Sequence, residues 1–329
     1  MTVTTAGRAT LTDVVELACL APSVHNTQPW SWQVHESSIE LFADDRRRLP
    51  VADPLGQRLV VSCGAALHHA QVAAAALGWL TAVERLPDGP ESDLLARIGL
   101  TRARPPAERA AALASLRARR TDRRRFTSWP VPDERVRELA RVAREWGVVA
   151  SPVTDVIERD AVEMLLGRAF DAQAADPLLA REQSTWVDHG VDDGVPAGAV
   201  PDTVPDVRAR RSRFGDGTLQ DSDHDVEDTD GLLVLGTVDD DRAGWLRTGE
   251  ALSALWLDAT AGGLSVVPLS QVIEVAETRR ALHREVLGTL AVPHVLVRIG
   301  WPSVSRAELP ASPRRPLDDV LRAGSTGRG

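Results

Sequence analysis

The stretch Ala21-Pro22-Ser23-Val24-His25-Asn26-Thr27-Gln28-Pro29-Trp30 carries more information than any other segment of the chain. A helical pattern over 11–20, with Thr10 or Thr12 as its cap, runs into it. An alternating strand, Ser31-Trp32-Gln33-Val34-His35, runs out. Pro22 and Pro29 lack an N–H and bias the residue before each toward extended geometry. Between them, positions 23–28 hold Ser23, His25, Asn26, Thr27 and Gln28. A plain connection rarely needs so many polar side chains, whereas a loop presenting hydrogen bonds to a flat polar ligand does.

Outward from this turn, the pattern predicts strands at 38–43, 81–86 and 94–100 and a long helix over about 54–79. A linker follows at 102–107. Beyond it come helices at 107–118, 132–146 and 156–176 and a strand at 148–153. From about 182 to 230 the chain is rich in Asp, Gly, Pro, Arg and Ser and loses its apolar period, which suggests a lid or an irregular insert. Order returns with strands at 232–235, 264–267 and 292–299 and helices at 243–262 and 275–287. Gly64-Ala65-Ala66-Leu67 is answered by Gly249-Glu250-Ala251-Leu252, each opening an Ala-rich helical stretch, which points to an internal duplication.

The second polar signal is the run Arg117, Arg119, Arg120, Thr121, Asp122, Arg123, Arg124, Arg125, Phe126. Taken alone it fits a solvated helix end or an RNA-binding patch. It also fits a phosphate clamp, because guanidinium forks and a hydroxyl match a terminal phosphate.

Together these segments resemble the nitroreductase-like FMN flavoproteins. Residues 21–30 resemble their A-P-S-x-x-N-x-Q-P-W turn, and Arg119 to Arg123 with Pro130-Val131-Pro132 resembles their R-R-S-x-R…P-V-P opening. Their order is reversed here, with the turn about a hundred residues ahead of the arginines. That order resembles the divergent Acg-type branch, a tandem fold in which two halves sit in one polypeptide with a lid over the flavin. Asp53-Pro54 and Ser62-Cys63-Gly64-Ala65-Ala66-Leu67 also look like that branch. The resemblance implies an α+β nitroreductase-like fold, a pseudo-dimer with mixed or antiparallel sheets flanked by helices. Residues 1–104 would form the first half and 105–329 the second, which carries the insert at about 182–230.

By the same resemblance FMN is the cofactor. Arg119, Thr121 and Arg123 would hold its phosphate, with Arg120 or Arg124 able to replace a neighbour. Arg314 and Arg315, alone an ordinary basic tail, would reach the same phosphate. Ser23, His25, Asn26 and Gln28 would face the pyrimidine edge. Pro268, Leu269, Ser270 and Gln271 would pass near the flavin N5, although the family pattern there is Pro-x-Glu-Gly and Ser270-Gln271 departs from it. Trp186 and Phe214 of the insert are candidates to lie on the flavin. No protein residue need act as catalytic acid or nucleophile, since the flavin carries the electron chemistry.

Composition narrows the rest. Net charge is −9 with a pI near 5.4, which argues against a general nucleic-acid binder. All 38 basic residues are arginine, which excludes a Schiff-base lysine, pyridoxal chemistry and a P-loop lysine. Cys19 and Cys63 lie in apolar helical patterns and read as buried reduced thiols. The sequence lacks a secretory leader and any eighteen-residue apolar run, so a soluble cytoplasmic protein without membrane partners is expected. Adjacent His68 and His69 point about 100° apart on a helix and cannot share a metal. Asp221-Ser222-Asp223-His224-Asp225 opens like a calcium loop, but Val226 and Leu232 stand where glycine and glutamate belong, so no metal site is expected. The function expected is an oxidoreductase moving electrons from NAD(P)H through FMN to a nitroaromatic, a quinone or a similar small acceptor, acting as a monomer or a homodimer. The alternative is a lidded FMN-binding protein for flavin storage or sequestration.

Overall fold

The computed structural model describes residues 6–201, 217–219, 230–302 and 309–322. Two four-stranded antiparallel sheets are built to one plan. In the first, β1 (Trp30–Val34), β2 (Ser38–Ala43), β3 (Trp79–Arg85) and β4 (Leu94–Arg102) stand in the order β1-β2-β4-β3. In the second, β5 (Val149–Val153), β6 (Gly231–Thr237), β7 (Ser265–Leu269) and β8 (Val292–Gly300) stand in the order β5-β6-β8-β7. The copies agree in detail. The ladder slips between Leu41 and Phe42 in one sheet and between Leu235 and Gly236 in the other. Such a bulge re-aims one strand, and its recurrence marks a shared design.

Each sheet packs on helices. α1 (Arg8–Ala18) and α2 (Gln57–Ala76) cover the first; α4 (Asp133–Arg144) and α7 (Arg242–Ala261) cover the second. α2 and α7 are apolar nearly all round because they lie in the middle and pack against each other. They cross at a pair of glycines. A methyl group added to Gly64 would stand 2.1 Å from the Leu246 carbonyl oxygen, and one added to Gly249 would stand 2.0 Å from that of Val61. The approach interlocks the cores, so Leu246 of α7 packs in the first and Val61 of α2 in the second. α2 is long and apolar enough to cross a membrane, but 83% of the qualifying stretch is buried inside the protein.

Local chemistry sets the boundaries. Asp241 caps α7 by accepting from the Gly244 N–H at 2.7 Å. α1 begins earlier than its pattern suggests. Gly7 stands at its cap, and Thr12 lies inside the helix with its hydroxyl donating to the Arg8 carbonyl at 2.9 Å. Threonine bonds back to the preceding turn as readily as it caps.

The second half holds the remaining helices: α3 (Arg109–Ala118), α5 (Val156–Ala174), α6 (Pro177–Thr185), α8 (Gln271–Glu274), α9 (Ala276–Glu285) and α10 (Leu317–Val320). α6 escaped the sequence pattern because Ala-Arg-Glu-Gln-Ser-Thr dilutes its apolar period. Asp176 caps it, accepting from the Leu178 and Leu179 N–H groups. Its Glu182 reaches the first half and accepts from the Val51 and Ala52 N–H groups at 2.9 and 2.8 Å. Phe214 and the acidic stretch 221–225 lie outside the described residues. After α10 the chain returns to the first sheet. Leu321 bridges Trp32 in parallel, and the Arg322 N–H donates to the Trp32 carbonyl, covering the free edge of β1.

Candidate active site

The turn at 21–30 is strained on purpose. His25, Asn26 and Gln28 have φ of 47°, 54° and 47°, in a region that non-glycine residues seldom enter. Hydrogen bonds hold it there. Ser23 Oγ accepts from the Gln28 N–H at 2.9 Å, Ser62 Oγ of α2 accepts from the Val24 N–H at 3.1 Å, and the Cys63 thiol donates to the Pro29 carbonyl. Burial drives the Cys63 thiol up and the Cys19 thiol to about 12, so both stay protonated and inert, as the apolar patterns predict.

The polar side chains of this turn divide into two sets. Ser23 and His25 line a pocket between the halves, whereas Asn26 and Gln28 turn away from it. The Asn26 amide donates to the carbonyls of Gly194 at 2.9 Å and Pro313 at 3.0 Å, and its oxygen accepts from Arg314 Nη1 at 3.0 Å. The Gln28 amide donates to the Asp192 carbonyl at 2.8 Å, and its oxygen accepts from the Arg315 N–H at 2.9 Å. These two residues therefore fasten the C-terminal arginines and the insert to the turn.

The pocket has an empty volume of about 930 Å³, open solvent included. Its floor is β7 running into α8, with Pro268, Leu269, Ser270 and Gln271 all on the wall. α2 contributes Arg58, Val61, Ser62 and Ala65, α7 contributes Leu252 and Trp256, and the arginine segment contributes Thr121 and Arg123. Apolar walls with a few convergent polar groups suit a planar organic ligand.

A second depression lies behind the arginine segment, lined by Arg117, Arg119, Arg120 and Arg314 with Leu20, Leu116, Ala311 and Ser312. No carboxylate lines it among the described residues. Arg119 is 3% exposed, its guanidinium stacks 4.7 Å over Trp256, and its Nε and Nη1 have no hydrogen-bond partner among the described residues. Burial, then the charges of Arg314, Arg120 and Arg123, drive its pKa far below the usual arginine range. Burial also lowers Arg314 to about 10. A buried cation cluster without an anion is costly. One dianion taken up here would relieve it. Trp256 forms a wall of the larger pocket and carries Arg119 on its face, so the two depressions adjoin.

The structure thus gathers Ser23, His25, Thr121, Arg123 and residues 268–271 around one pocket and Arg119, Arg120 and Arg314 around its neighbour. Arg315 lies beside the turn, donating to the Gln28 and Trp30 carbonyls. Arg124 is bound to Asp122 through paired bonds of 2.8 Å and lines neither depression. Trp186 stacks on His189, faces Arg47 and packs with Leu49, Ala52 and Leu179, outside the pocket wall. Sequence reasoning missed Arg58, Trp256 and Arg298. The signal for Arg58 was a lone cation at the start of an otherwise apolar helix.

The paired plan of the two sheets sets one set of positions against another. His68 and Ser253, 185 residues apart, hydrogen bond across the helix crossing at 2.7 Å. The same interval relates Gly64 to Gly249. It carries Ala65, Trp256 and Ser270 of the pocket onto Glu250, Gln71 and Arg85. Those three close on one another: Arg85 forks onto Glu250 with two bonds of 2.8 Å, and the Gln71 amide donates to the same carboxylate at 2.8 Å. Glu250 is fully buried.

No protein-family model matches the chain. It is 39% identical over 315 residues, 95% of its length and 91% of the relative's, to a Mycobacterium tuberculosis protein named "putative NAD(P)H nitroreductase". A second relative from that organism, named "putative NAD(P)H nitroreductase acg", is 32% identical over 331 residues, covering 93% of both chains. Among solved structures, the FMN-dependent nitroreductase NfnB from Mycobacterium smegmatis in complex with NADPH is 18% identical. It matches 65% of this chain and 98% of its own with a TM-score of 0.40. A nitroreductase with bound FMN from Desulfitobacterium hafniense is 10% identical over 65% of this chain and 98% of its own, with a TM-score of 0.42.

Proposed function

Because the chain belongs to the Acg branch of the NAD(P)H nitroreductase family, we propose that it is an FMN-binding oxidoreductase. It would take electrons from NAD(P)H and deliver them to a nitroaromatic, quinone or similar small acceptor. The observation that carries this reading is the buried Arg119 guanidinium, with two unpartnered nitrogens, beside an apolar pocket walled by the expected motifs.

The residues fit the cofactor. Arg119, Arg120 and Arg314 would receive its phosphate, with Thr121 and Arg123 between phosphate and ring. Ser23, His25 and the backbone at 268–271 would meet the ring edges. Asn26, Gln28 and Arg315 would act through the tail, holding Arg314 in place. When bound, FMN supplies hydride acceptance and electron delivery, so the protein needs no nucleophile. The pocket is completed within one chain by both halves, so a monomer suffices; in this reading the chain is a fused pair that kept one site.

Flavin storage under a lid is the competing reading. The described part of the insert meets the turn through Gly194 against Asn26 and accepts from the pocket residue Arg123 at the Ala199 carbonyl, while adding no described residue to the pocket wall. The test is the visible spectrum of purified protein, taken anaerobically before and after NADPH. Flavin bands that bleach and return with a quinone support the reductase; bands that persist support storage; protein that takes up no FMN overturns both.

A further inference from the structure

The larger pocket carries Arg58, on the first turn of α2, on its wall. Arg119, Arg120 and Arg314 line the adjoining depression, of whose wall Arg58 is no part.

Arg58 is 7% exposed and lines the pocket. Its Nε has no hydrogen-bond partner among the described residues. Two buried carboxylates form long ion pairs with it, Glu274 Oε1 at 3.5 Å from Nε and Asp53 Oδ1 at 3.8 Å from Nη2. Both are committed elsewhere. Asp53 Oδ2 accepts from the Leu59 N–H at 2.8 Å, and Glu274 accepts from Ser270 Oγ at 2.9 Å and from Gln173 Nε2 at 2.5 Å. The other arginine on this side, Arg298, is paired with Asp230 at 3.2 Å and donates to the Arg124 carbonyl at 3.1 Å. The closed copy offers a comparison. There the buried cation, Arg85, is forked onto Glu250, and the position matching Arg58 is Ala243. In the open pocket no acidic residue lines the wall among the described residues, and Arg58 Nε donates to none of them.

We propose that Arg58 is the specificity residue of the second-ligand site, receiving the carboxylate of a small aromatic acid. The class follows from the surroundings. The guanidinium fork matches a planar carboxylate, and Val61, Leu252, Val267, Leu269 and Val295 give an apolar slot for a ring. The inference rests on the flavoprotein reading, since the ring would lie against the flavin.

The experiment uses benzoate and benzamide, isosteric and unreactive, titrated against FMN-loaded protein and read by the perturbation of flavin absorbance. Wild type is expected to bind benzoate at least tenfold tighter. Arg58→Gln should bring the two affinities together while the protein keeps its FMN. Glu274→Gln, which removes the competing charge and keeps the acceptor for Ser270 and Gln173, should tighten benzoate by a few-fold. Equal affinities in wild type overturn the proposal. So does an unchanged ratio in Arg58→Gln, loss of FMN from that variant, or a Glu274→Gln variant whose benzoate affinity is unchanged or weaker. The Glu274 variant decides the matter should Arg58→Gln not fold. FMN uptake is scored first, by absorbance. If wild type takes up none, the flavoprotein reading fails on its own, and the same titration of flavin-free chain through tryptophan fluorescence still scores Arg58.

Discussion

Gly64 and Gly249 meet back to back where α2 crosses α7, and neither can gain a methyl group without striking a backbone carbonyl about 2 Å away. A carbonyl on a packed helix cannot swing aside as a side chain can. Gly64→Ala should therefore push the helices apart and cost about 3 kcal/mol, at the upper end for overpacking. Urea unfolding checks this; a loss under 1 kcal/mol would mean that the crossing relaxes easily.

Arg119 should show opposite effects on stability and on binding. Arg119→Met removes a buried cation that no anion among the described residues pairs with, so the flavin-free protein should become more stable. The same change should weaken FMN by roughly 10- to 100-fold, the worth of a charge-assisted hydrogen bond. Thermal melts without flavin and FMN titration give the two signs separately.

Asn26 should matter through Arg314. Asn26→Ala removes an acceptor of Arg314 and two donors to backbone carbonyls. FMN affinity is expected to fall by about tenfold, matching the loss of one or two hydrogen bonds. The flavin absorbance maximum should stay in place, because the side chain faces the tail and not the pocket. A displaced maximum at unchanged affinity would reverse this assignment.

Acid should destabilise the fold through buried histidines. Burial lowers His294 to about 4 and His68 to about 3 from an ordinary 6.5. Both are folded as neutral rings, so the unfolded chain binds the extra protons. Their contribution is whole above about pH 6.5 and is lost as pH falls from there toward 4, at about 1.4 kcal/mol per pH unit for each. His69 beside it is lowered by burial as well, so His68→Asn, which can still hydrogen bond to Ser253, should flatten that decline by about a third. Melting temperatures measured from pH 7 to 4.5 decide it.

The Arg85–Glu250 fork should be a stabiliser remote from the flavin. Glu250→Ala leaves the half-buried Arg85 able to turn toward solvent, so a loss of about 2 kcal/mol is expected, below the full cost of stranding a buried charge. One FMN per chain should bind before and after, as measured by absorbance of the saturated protein. Two equivalents in either would contradict a closed second copy.

Much of this was legible in the sequence because it was local. Prolines and crowded polar residues marked the turn at 21–30, and period and breakers gave both sheets with edges off by a residue or two. The repeated Gly-x-Ala-Leu agrees with the common plan of the two sheets. What stayed hidden depends on partners hundreds of residues away. Asn26 and Gln28 look as fit for a ligand as Ser23 and His25, and only the position of Arg314 and Arg315 separates them. Arg58 and Glu250 are both single charges in apolar helical patterns, yet one lines a pocket and the other seals its counterpart. α6 was lost because its few apolar residues serve a small contact with Leu49 and Ala52 and write no clear period.

The arginine that holds the turn lies far downstream of it. Arg314 donates to the Leu20 carbonyl across 294 residues of chain, and Leu321 and Arg322 then close the edge of β1. A ribosome adding roughly 5–20 residues per second needs about 15–60 s to cover that interval. Through that time the first half is outside the ribosome with a strained turn and an open strand edge. If the chain takes FMN as proposed, its capture is a late event of biosynthesis, and nascent chains released before residue 314 should be found without flavin and in the keeping of chaperones.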